Sequence, residues 1–333
     1  MRAVKGKIQM NKVIILLGPT GVGKTDVSIL LAKALDTEII SADSMQIYKG
    51  MDIGTAKPLK EQRKVVRHHM IDIVEPSESY NVGKYIKDVK PIIENLHAKG
   101  KIPIVVGGTG LYIKAMTRGL FSGPSADWRL REELISIEEE RKGSLYEYLN
   151  RLDPCAASKI TPSDIRRVIR ALEVCLKTEE GISEFQKKFT RPMPYEFLKI
   201  GLTRDRKELY RMIEQRVNEM IKKGFVEEVE QILDLFPNSE LRTPNLVPAI
   251  LKRGSELSSM QAIGYKEIKT YLNGEIPLEE AIRLIKRNTK RYAKRQFTWF
   301  KKEDGIHWID ITGIHSSNEI FVQAKKIIDA CLN

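Results

Sequence analysis

Gly18-Pro19-Thr20-Gly21-Val22-Gly23-Lys24-Thr25 is the stretch on which the reading of this chain turns. It has the spacing G-x-x-x-x-G-K-[ST] of a phosphate-binding P-loop. The apolar run Val13 to Leu17 precedes it and reads as a buried parallel strand. Val27, Leu30, Leu31 and Leu35 follow as candidate core positions of a helix. Strand, glycine loop and helix in this order predict an α/β fold, a parallel sheet flanked by helices. The glycines let successive backbone N–H groups turn inward as an anion nest at a positive helix N-terminus. Lys24 adds a mobile charge, and the Thr25 hydroxyl can ligate a divalent metal or touch a phosphate oxygen. The loop alone does not choose its phosphate, because kinases, ATPases and a few transferases all use it.

Working outward, Glu38-Ile39-Ile40-Ser41-Ala42-Asp43 reads as a second strand ending in an acid. Strand carboxyl ends line the ligand crevice of an open parallel sheet, which would aim Asp43 at the P-loop. The plainer alternative is that Asp43 caps the next turn. Residues 43–58 are polar, mixed and without a period, so they read as a long loop of the kind that carries function. His68 and His69 cannot both face one metal from a regular strand, and they read as structural. Asn81 to Gly100 is a helix with Pro91 inside it, a place for a kink or break. Ile102 to Val106 is a third buried strand, ending in Gly107-Gly108-Thr109. A motor or switch NTPase would often carry a metal-binding acid there. The Gly-Gly-Thr turn suits close backbone approach to a ligand, with the Thr109 hydroxyl as a donor, or is simply a tight turn.

The character changes at Leu120. Phe121 to Asp127 is a linker-like break, and residues 127–180 are mostly helical. The predicted organisation is therefore a P-loop core over 1–118 and 200–333, interrupted by an all-helical insertion over 119–199. Within the insertion, Arg166 and Arg170 share a helix face with Arg167 adjacent, either a binding stripe or a solvated face. Ile200-Gly201-Leu202 reads as a return strand closing the sheet, and Glu208 to Lys223 as a helix. Arg216 on that helix could reach a phosphate or pair with a carboxylate. Residues 237–255 are loop-rich, and Met260 to Lys266 opens another helical region.

The last long helix is the second strong signal. Between residues 282 and 302 lie nine Lys and Arg side chains and no acid, with Arg283, Arg287, Lys290 and Lys294 on one stripe. Tyr292, Phe297, Trp299 and Phe300 interleave. Cations with aromatics suit a nucleic-acid backbone. The whole chain agrees: 56 Lys and Arg against 44 Asp and Glu give a net charge of +12 over 333 residues. The balance is 19 to 11 over residues 1–118, 14 to 14 over 119–200, and 23 to 19 over 201–333, so the excess lies outside the insertion. No apolar run approaches the roughly 18 residues of a membrane span. The apolar stretch after the basic N-terminus is too short for a signal peptide. Cys155, Cys175 and Cys331 form neither a disulfide framework nor a zinc pattern, which suits a reduced cytoplasm.

The motifs GPTGVGKT, SADSMQIYKGMDIGTAKP, HHMIDIVEPSESY, PIVVGGTGLY, SDIRRVIRALEV, MQAIGYKE and KRQFTWFK occur here in chain order. In that order the chain resembles the bacterial tRNA dimethylallyltransferases, also called tRNA isopentenyltransferases, over about residues 12–310. The resemblance implies that the P-loop, Gly18 to Thr25, holds the diphosphate of dimethylallyl diphosphate with Mg²⁺ and does not hydrolyse ATP. The dimethylallyl group would pass to N6 of adenosine 37, beside the anticodon, in tRNAs reading codons that begin with U. Asp43 would be the general base. Lys24, Thr25 and Arg216 would act on the leaving diphosphate, with Thr25 at the metal. Contacts to the tRNA anticodon stem-loop would fall on Asp43, Ser44, Met45, Gln46, Thr109 and Arg131. Further contacts would come from Arg166, Arg167, Val168, Ile169 and Arg170, and from Lys294, Arg295, Gln296, Phe297, Thr298, Trp299, Phe300 and Lys301. The helical insertion would close over the anticodon loop. A monomer is sufficient for this chemistry. A small-molecule or nucleoside kinase, a non-catalytic RNA-binding protein that retained the fold, and prenyl transfer to free AMP are the competing readings.

Overall fold

The computed structural model describes residues 11–121, 123–235 and 259–332. The loop-rich stretch expected at 237–255 lies outside them. The chain forms two compact units, divided after Ile113 and before Pro194. In described residues the first comprises 11–113, 194–235 and 259–332, and the second comprises 114–121 and 123–193.

The first unit is built on a six-stranded sheet of order β3-β2-β4-β1-β7-β8. Its strands are β1 (Lys12–Leu17), β2 (Ile39–Ala42), β3 (His68–His69), β4 (Ile104–Gly107), β7 (Glu196–Thr203) and β8 (Ile306–Asp310). Every neighbouring pair is parallel. The apolar run KVIILL therefore sits in the middle of the sheet, buried along its whole length, as a strand covered on both faces requires. Helix α1 (Lys24–Ala34) turns Val27 and Leu31 into the core, and α14 (Ser317–Leu332) adds Ile320, Ala324 and Ile328. From α10 (Arg206–Lys222) come Leu209 and Ile213, and from α13 (Leu278–Phe300) Ala293.

The return strand expected at Ile200–Leu202 does not close the sheet, because β8 pairs outside it in register from Lys199–Ile306 to Thr203–Asp310. In β8 only Ile309 is buried, while His307 and Trp308 face solvent, so its pattern gives no sign of a core strand. Pro91 neither ends nor divides its helix. Helix α3 runs unbroken from Val82 to Ala98, with Pro91 and Lys87 on the exposed face, where water can satisfy the carbonyl that the proline ring displaces.

A second apolar cluster in this unit joins the long loop to α10, α11 (Phe225–Leu235), α12 (Tyr265–Leu272) and α13. Ile47, Tyr48 and Met51 of the loop pack there with Val217, Phe225, Tyr265 and Ile285. The loop is thus irregular but anchored.

The second unit is helical. Its main helices are α5 (Trp128–Glu140), α6 (Ser144–Leu152), α8 (Ile165–Thr178) and α9 (Ile182–Phe189). They surround Leu134, Leu145, Leu149, Val168 and Leu172, all nearly inaccessible to solvent. A two-stranded antiparallel ribbon, absent from the sequence reading, pairs β5 (Leu120–Phe121) with β6 (Thr190–Arg191). Gly119 has φ +93°, and a Cβ there would lie 2.4 Å from the Arg191 backbone. Among the described residues no helix is long and apolar enough to cross a membrane.

Candidate active site

The carboxyl ends of β1, β2 and β4 meet at one edge of the sheet. The P-loop leaves β1 and enters α1 through Gly23, the N-cap, at φ 100°. Gly21 is also left-handed, at φ 81°, a conformation that would strain a side-chain-bearing residue. Lys24 Nζ donates to the carbonyls of Gly18 and Pro19, each at 2.9 Å. It therefore folds back over its own loop. Desolvation in the cleft lowers the Lys24 ammonium to about 8; the Asp43 charge opposes this and the Arg216 charge adds to it.

Asp43 follows β2 directly. Its Oδ1 accepts the N–H of Met45 at 2.9 Å and of Gln46 at 3.4 Å. Both readings of this residue hold together: it caps the turn and faces the glycine loop. At the end of β4, Gly107 lies so close to β2 that a Cβ would stand 2.2 Å from the Ala42 carbonyl. The Thr109 hydroxyl accepts the Ser44 N–H at 3.1 Å, tying the Gly-Gly-Thr turn to the Asp43 loop. Arg216 arrives from α10. Burial lowers its guanidinium from the ordinary arginine value, with the Asp43 charge acting against this.

These groups line two adjoining clefts within the first unit. One, of about 400 Å³, is floored by Thr20, Lys24, Thr25, Asp43 and Arg216. The other, of about 300 Å³, has apolar walls from Ile213, Val217, Met220, Phe225 and Ile285, with Ser44, Met45, Tyr292 and Arg295. Thr20, Asp43, Thr55 and Arg216 line both. Burial, with the Asp43 charge nearby, pushes the Tyr292 hydroxyl up to about 12. Among the described residues no three His, Cys, Asp or Glu side chains gather as a metal cage. The Thr25 hydroxyl is a cleft-lining oxygen that suits Mg²⁺, an ion that usually takes few protein ligands and completes its shell with phosphate and water.

Two residues support the site in ways the sequence does not show, one of them expected only as a tRNA contact and the other not expected at all. The first is Gln296, which is not an exposed contact on α13. It is 6% exposed; its Oε1 accepts the Thr20 N–H at 2.8 Å, and its Nε2 donates to the Gly108 carbonyl at 2.8 Å. The second is Glu228 on α11. Its carboxylate accepts the N–H groups of Asp52, Ile53 and Gly54 at 2.9, 2.7 and 3.1 Å, and the Tyr265 hydroxyl at 2.6 Å. It fixes the loop that delivers Thr55 to both clefts. An acid in an otherwise apolar helix face was its only sequence signal.

Helix α13 is two-sided. Lys294, Arg295 and Thr298 are exposed, with Lys301 just beyond the helix, whereas Gln296 and Phe300 are buried and Phe297 and Trp299 are half-buried. The Trp299 ring packs on Gly110, where a Cβ would stand 2.5 Å away. Surface contact by Gln296 and Phe300 is therefore corrected: both side chains serve the core of the unit. The absence of acids between 282 and 302 is also answered locally, by Arg283 with Glu280 and by Lys290 with Glu214.

The helical unit holds the remaining expected contacts. Val168 and Ile169 are corrected in the same way, since their side chains lie on the apolar face of α8, in that unit's core. Arg167 is exposed and 3.3 Å from Asp164. Arg131 and Arg170 converge on Glu173, whose side chain is wholly buried. Burial would raise the Glu173 carboxyl, but Arg131, the Asp127 N–H and Arg170 hold it below the usual glutamate range. His69 Nε2 lies 2.6 Å from Glu38 and His68 Nδ1 2.8 Å from the Val66 carbonyl, but His68, read from the sequence as structural, also lines the larger cleft.

Fold and site together define the class: an α/β protein with a parallel central sheet and a glycine loop and acid at its carboxyl edge. The chain belongs to the IPP transferase family, whose model matches residues 46–303. It is 54% identical over 322 residues to the tRNA dimethylallyltransferase of Thermodesulfovibrio yellowstonii, covering 97% of this chain and 99% of that one. It is 45% identical to the tRNA dimethylallyltransferase of Thermotoga maritima over 317 residues, 95% of this chain and 98% of the other. Among solved structures it is similar to the tRNA isopentenylpyrophosphate transferase of Bacillus halodurans, with a TM-score of 0.69, 39% identity and 97% of each chain covered. It is also similar to a eukaryotic dimethylallyltransferase acting on tRNA, with a TM-score of 0.77, 30% identity, and 96% of this chain and 80% of that one covered.

Proposed function

We propose that this protein transfers the dimethylallyl group of dimethylallyl diphosphate to N6 of adenosine 37 in tRNAs reading codons that begin with U. The products are N6-isopentenyladenosine and diphosphate. The observation that carries the reading is the shared wall of the two clefts, where Asp43, Thr20, Thr55 and Arg216 border a polar, P-loop side and an apolar side at once. Donor and acceptor can meet there.

On the polar side the diphosphate faces the loop N–H groups, Lys24 and Arg216. As the allylic C–O bond breaks, charge grows on the departing oxygen, and fixed cations and N–H dipoles in a cleft stabilise that charge more than they stabilise the intact donor. Lys24 exchanges its bonds to Gly18 and Pro19 for phosphate oxygens. Mg²⁺, held through Thr25 and the diphosphate, supplies further charge neutralisation when bound. On the apolar side the adenine enters past Ser44, Met45, Tyr292 and Arg295. Its N6 is a weak nucleophile because the lone pair is delocalised into the ring. As the C–N bond forms, Asp43 accepts the proton that N6 sheds. An anticodon-loop base can leave its stack at lower cost than one in a duplex. All residues lining both clefts belong to one compact unit of one chain, in keeping with a monomeric enzyme.

The test is a single-turnover incubation with labelled dimethylallyl diphosphate, Mg²⁺ and unmodified tRNA, with AMP and ATP as competitors. Label should enter tRNA and fall about 10²–10⁴-fold in Asp43→Ala, the usual loss for a general base. ADP formation from ATP without labelled tRNA would return a kinase, and label in AMP would change the acceptor.

A further inference from the structure

Trp128 opens α5 in the helical unit. The Asp127 carboxylate caps that helix by accepting the Leu130 N–H at 3.1 Å. The indole is 57% exposed, although burying a ring of this size is strongly favourable. Its surroundings account for the position. The Arg131 guanidinium lies over the ring, 5.1 Å from its centroid. Arg131 is itself immobilised, donating through Nε at 2.9 Å and Nη2 at 2.8 Å to the buried Glu173 carboxylate. The same carboxylate takes the Asp127 N–H at 2.7 Å, which fixes the start of the helix beneath the indole. It also pairs with Arg170. Lys177 lies 3.5 Å from the Asp127 carboxylate, so three cations, Arg131, Arg170 and Lys177, meet two carboxylates, Glu173 and Asp127, and the cluster behind the ring keeps a net positive charge.

A rigid aromatic face backed by a fixed cation suits a flat π-system carrying negative charge nearby. A nucleotide has both, a base to stack and a phosphate to attract, whereas an apolar protein patch would gain nothing from the cation. The bases of a duplex present their faces only to one another, so the partner must offer an unpaired base. We propose that Trp128 is a stacking platform for an unpaired base of the RNA substrate, an inference that rests on the transfer to tRNA proposed above. Arg131, expected from the resemblance to contact RNA, becomes the support of that platform.

The test compares the full-length protein with Trp128→Ala and Trp128→Phe. The probes are an anticodon stem-loop hairpin and the same stem closed as a blunt duplex. Trp128→Ala should weaken hairpin binding, and raise the KM for RNA, by about 5- to 150-fold, the range for loss of one base–aromatic stack. Trp128→Phe should keep most of the affinity. Duplex affinity, the KM for dimethylallyl diphosphate and kcat at saturating RNA should stay at the wild-type level. Hairpin binding unchanged in Trp128→Ala would overturn the assignment, as would equal losses on hairpin and duplex. The two readings fail separately. Wild-type transfer to tRNA with an unaffected Trp128→Ala removes the platform alone, while no transfer by the wild-type chain removes the function and the platform with it.

Discussion

Lys24 is where a single residue says most about the chemistry. Among the described residues its ammonium donates to the carbonyls of Gly18 and Pro19, and desolvation brings it down to about 8. Below that value the site is charged and ready for a diphosphate; above it the lysine is neutral and an anion must bring a proton with it. Because kcat/KM reports the free enzyme, kcat/KM for the donor should fall as pH rises through about 8. The same profile in Lys24→Ala should be lower throughout and lack that limb. A rate profile flat from pH 7 to about 9 in the wild type would show that Lys24 does not govern capture of the donor. The placement of the glycine loop and of Asp43 at strand ends was legible in the sequence because it rests on short spacings. Gln296 and Glu228 were not. Gln296 bonds to Thr20, 276 positions away, and Glu228 to Asp52, 176 positions away. No local pattern announces such partners.

At the scale of the element, α13 does two jobs with two faces. Its basic stripe reads directly from the spacing of Arg283, Arg287, Lys290 and Lys294. Its inner face, where Gln296 bridges the P-loop and the Gly108 turn, emerges only from the packing. Gln296→Ala would leave the Thr20 N–H and the Gly108 carbonyl without their bonds, at about 1–3 kcal/mol for each orphaned group. The expected outcome is a lower melting temperature together with a raised KM for dimethylallyl diphosphate. RNA affinity should hold, because Lys294, Arg295 and Lys301 remain exposed. An RNA Kd that rises while the donor KM stays fixed would instead make Gln296 a direct RNA contact. Other elements escaped the sequence for physical reasons. Strand β8 is largely solvated at the edge of the sheet, and the ribbon of β5 and β6 is two residues long on each side, too short to set up a period.

For the whole molecule, the count of 56 Lys and Arg side chains overstates how many cations are free to meet a polyanion. Arg283 and Lys290 of the stripe are answered by Glu280 and Glu214, and in the helical unit the one Glu173 carboxylate engages both Arg131 and Arg170 and offsets one of their two charges. Association with tRNA should still weaken steeply with salt, but fewer cations should set the slope than the sequence contains. Lys294→Ala should flatten the plot of log affinity against log salt by about 0.7–1. Lys290→Ala, which removes a charge already neutralised, should change it much less. Equal changes from both would mean that the ion pair with Glu214 opens when RNA binds. Fold class and family were readable from the ordered motifs, which span most of the chain. What the sequence left open was which of its many cations are already spoken for, since that depends on acids brought from distant segments.

The ribbon of β5 and β6 has a consequence for descent. Within the second unit it pairs Leu120 with Arg191 and Phe121 with Thr190, so the segments leading into and out of that unit's helices run only a strand spacing apart, about 4.8 Å. A tight hairpin turn could close that gap in place of some seventy residues. The helical unit is therefore a cassette. It can be lengthened, exchanged between lineages or cut out by a single genetic event, with β4 and β7 keeping their places in the sheet. On the function proposed above, acceptor recognition by the helical unit could then change without disturbing the sheet that carries the glycine loop.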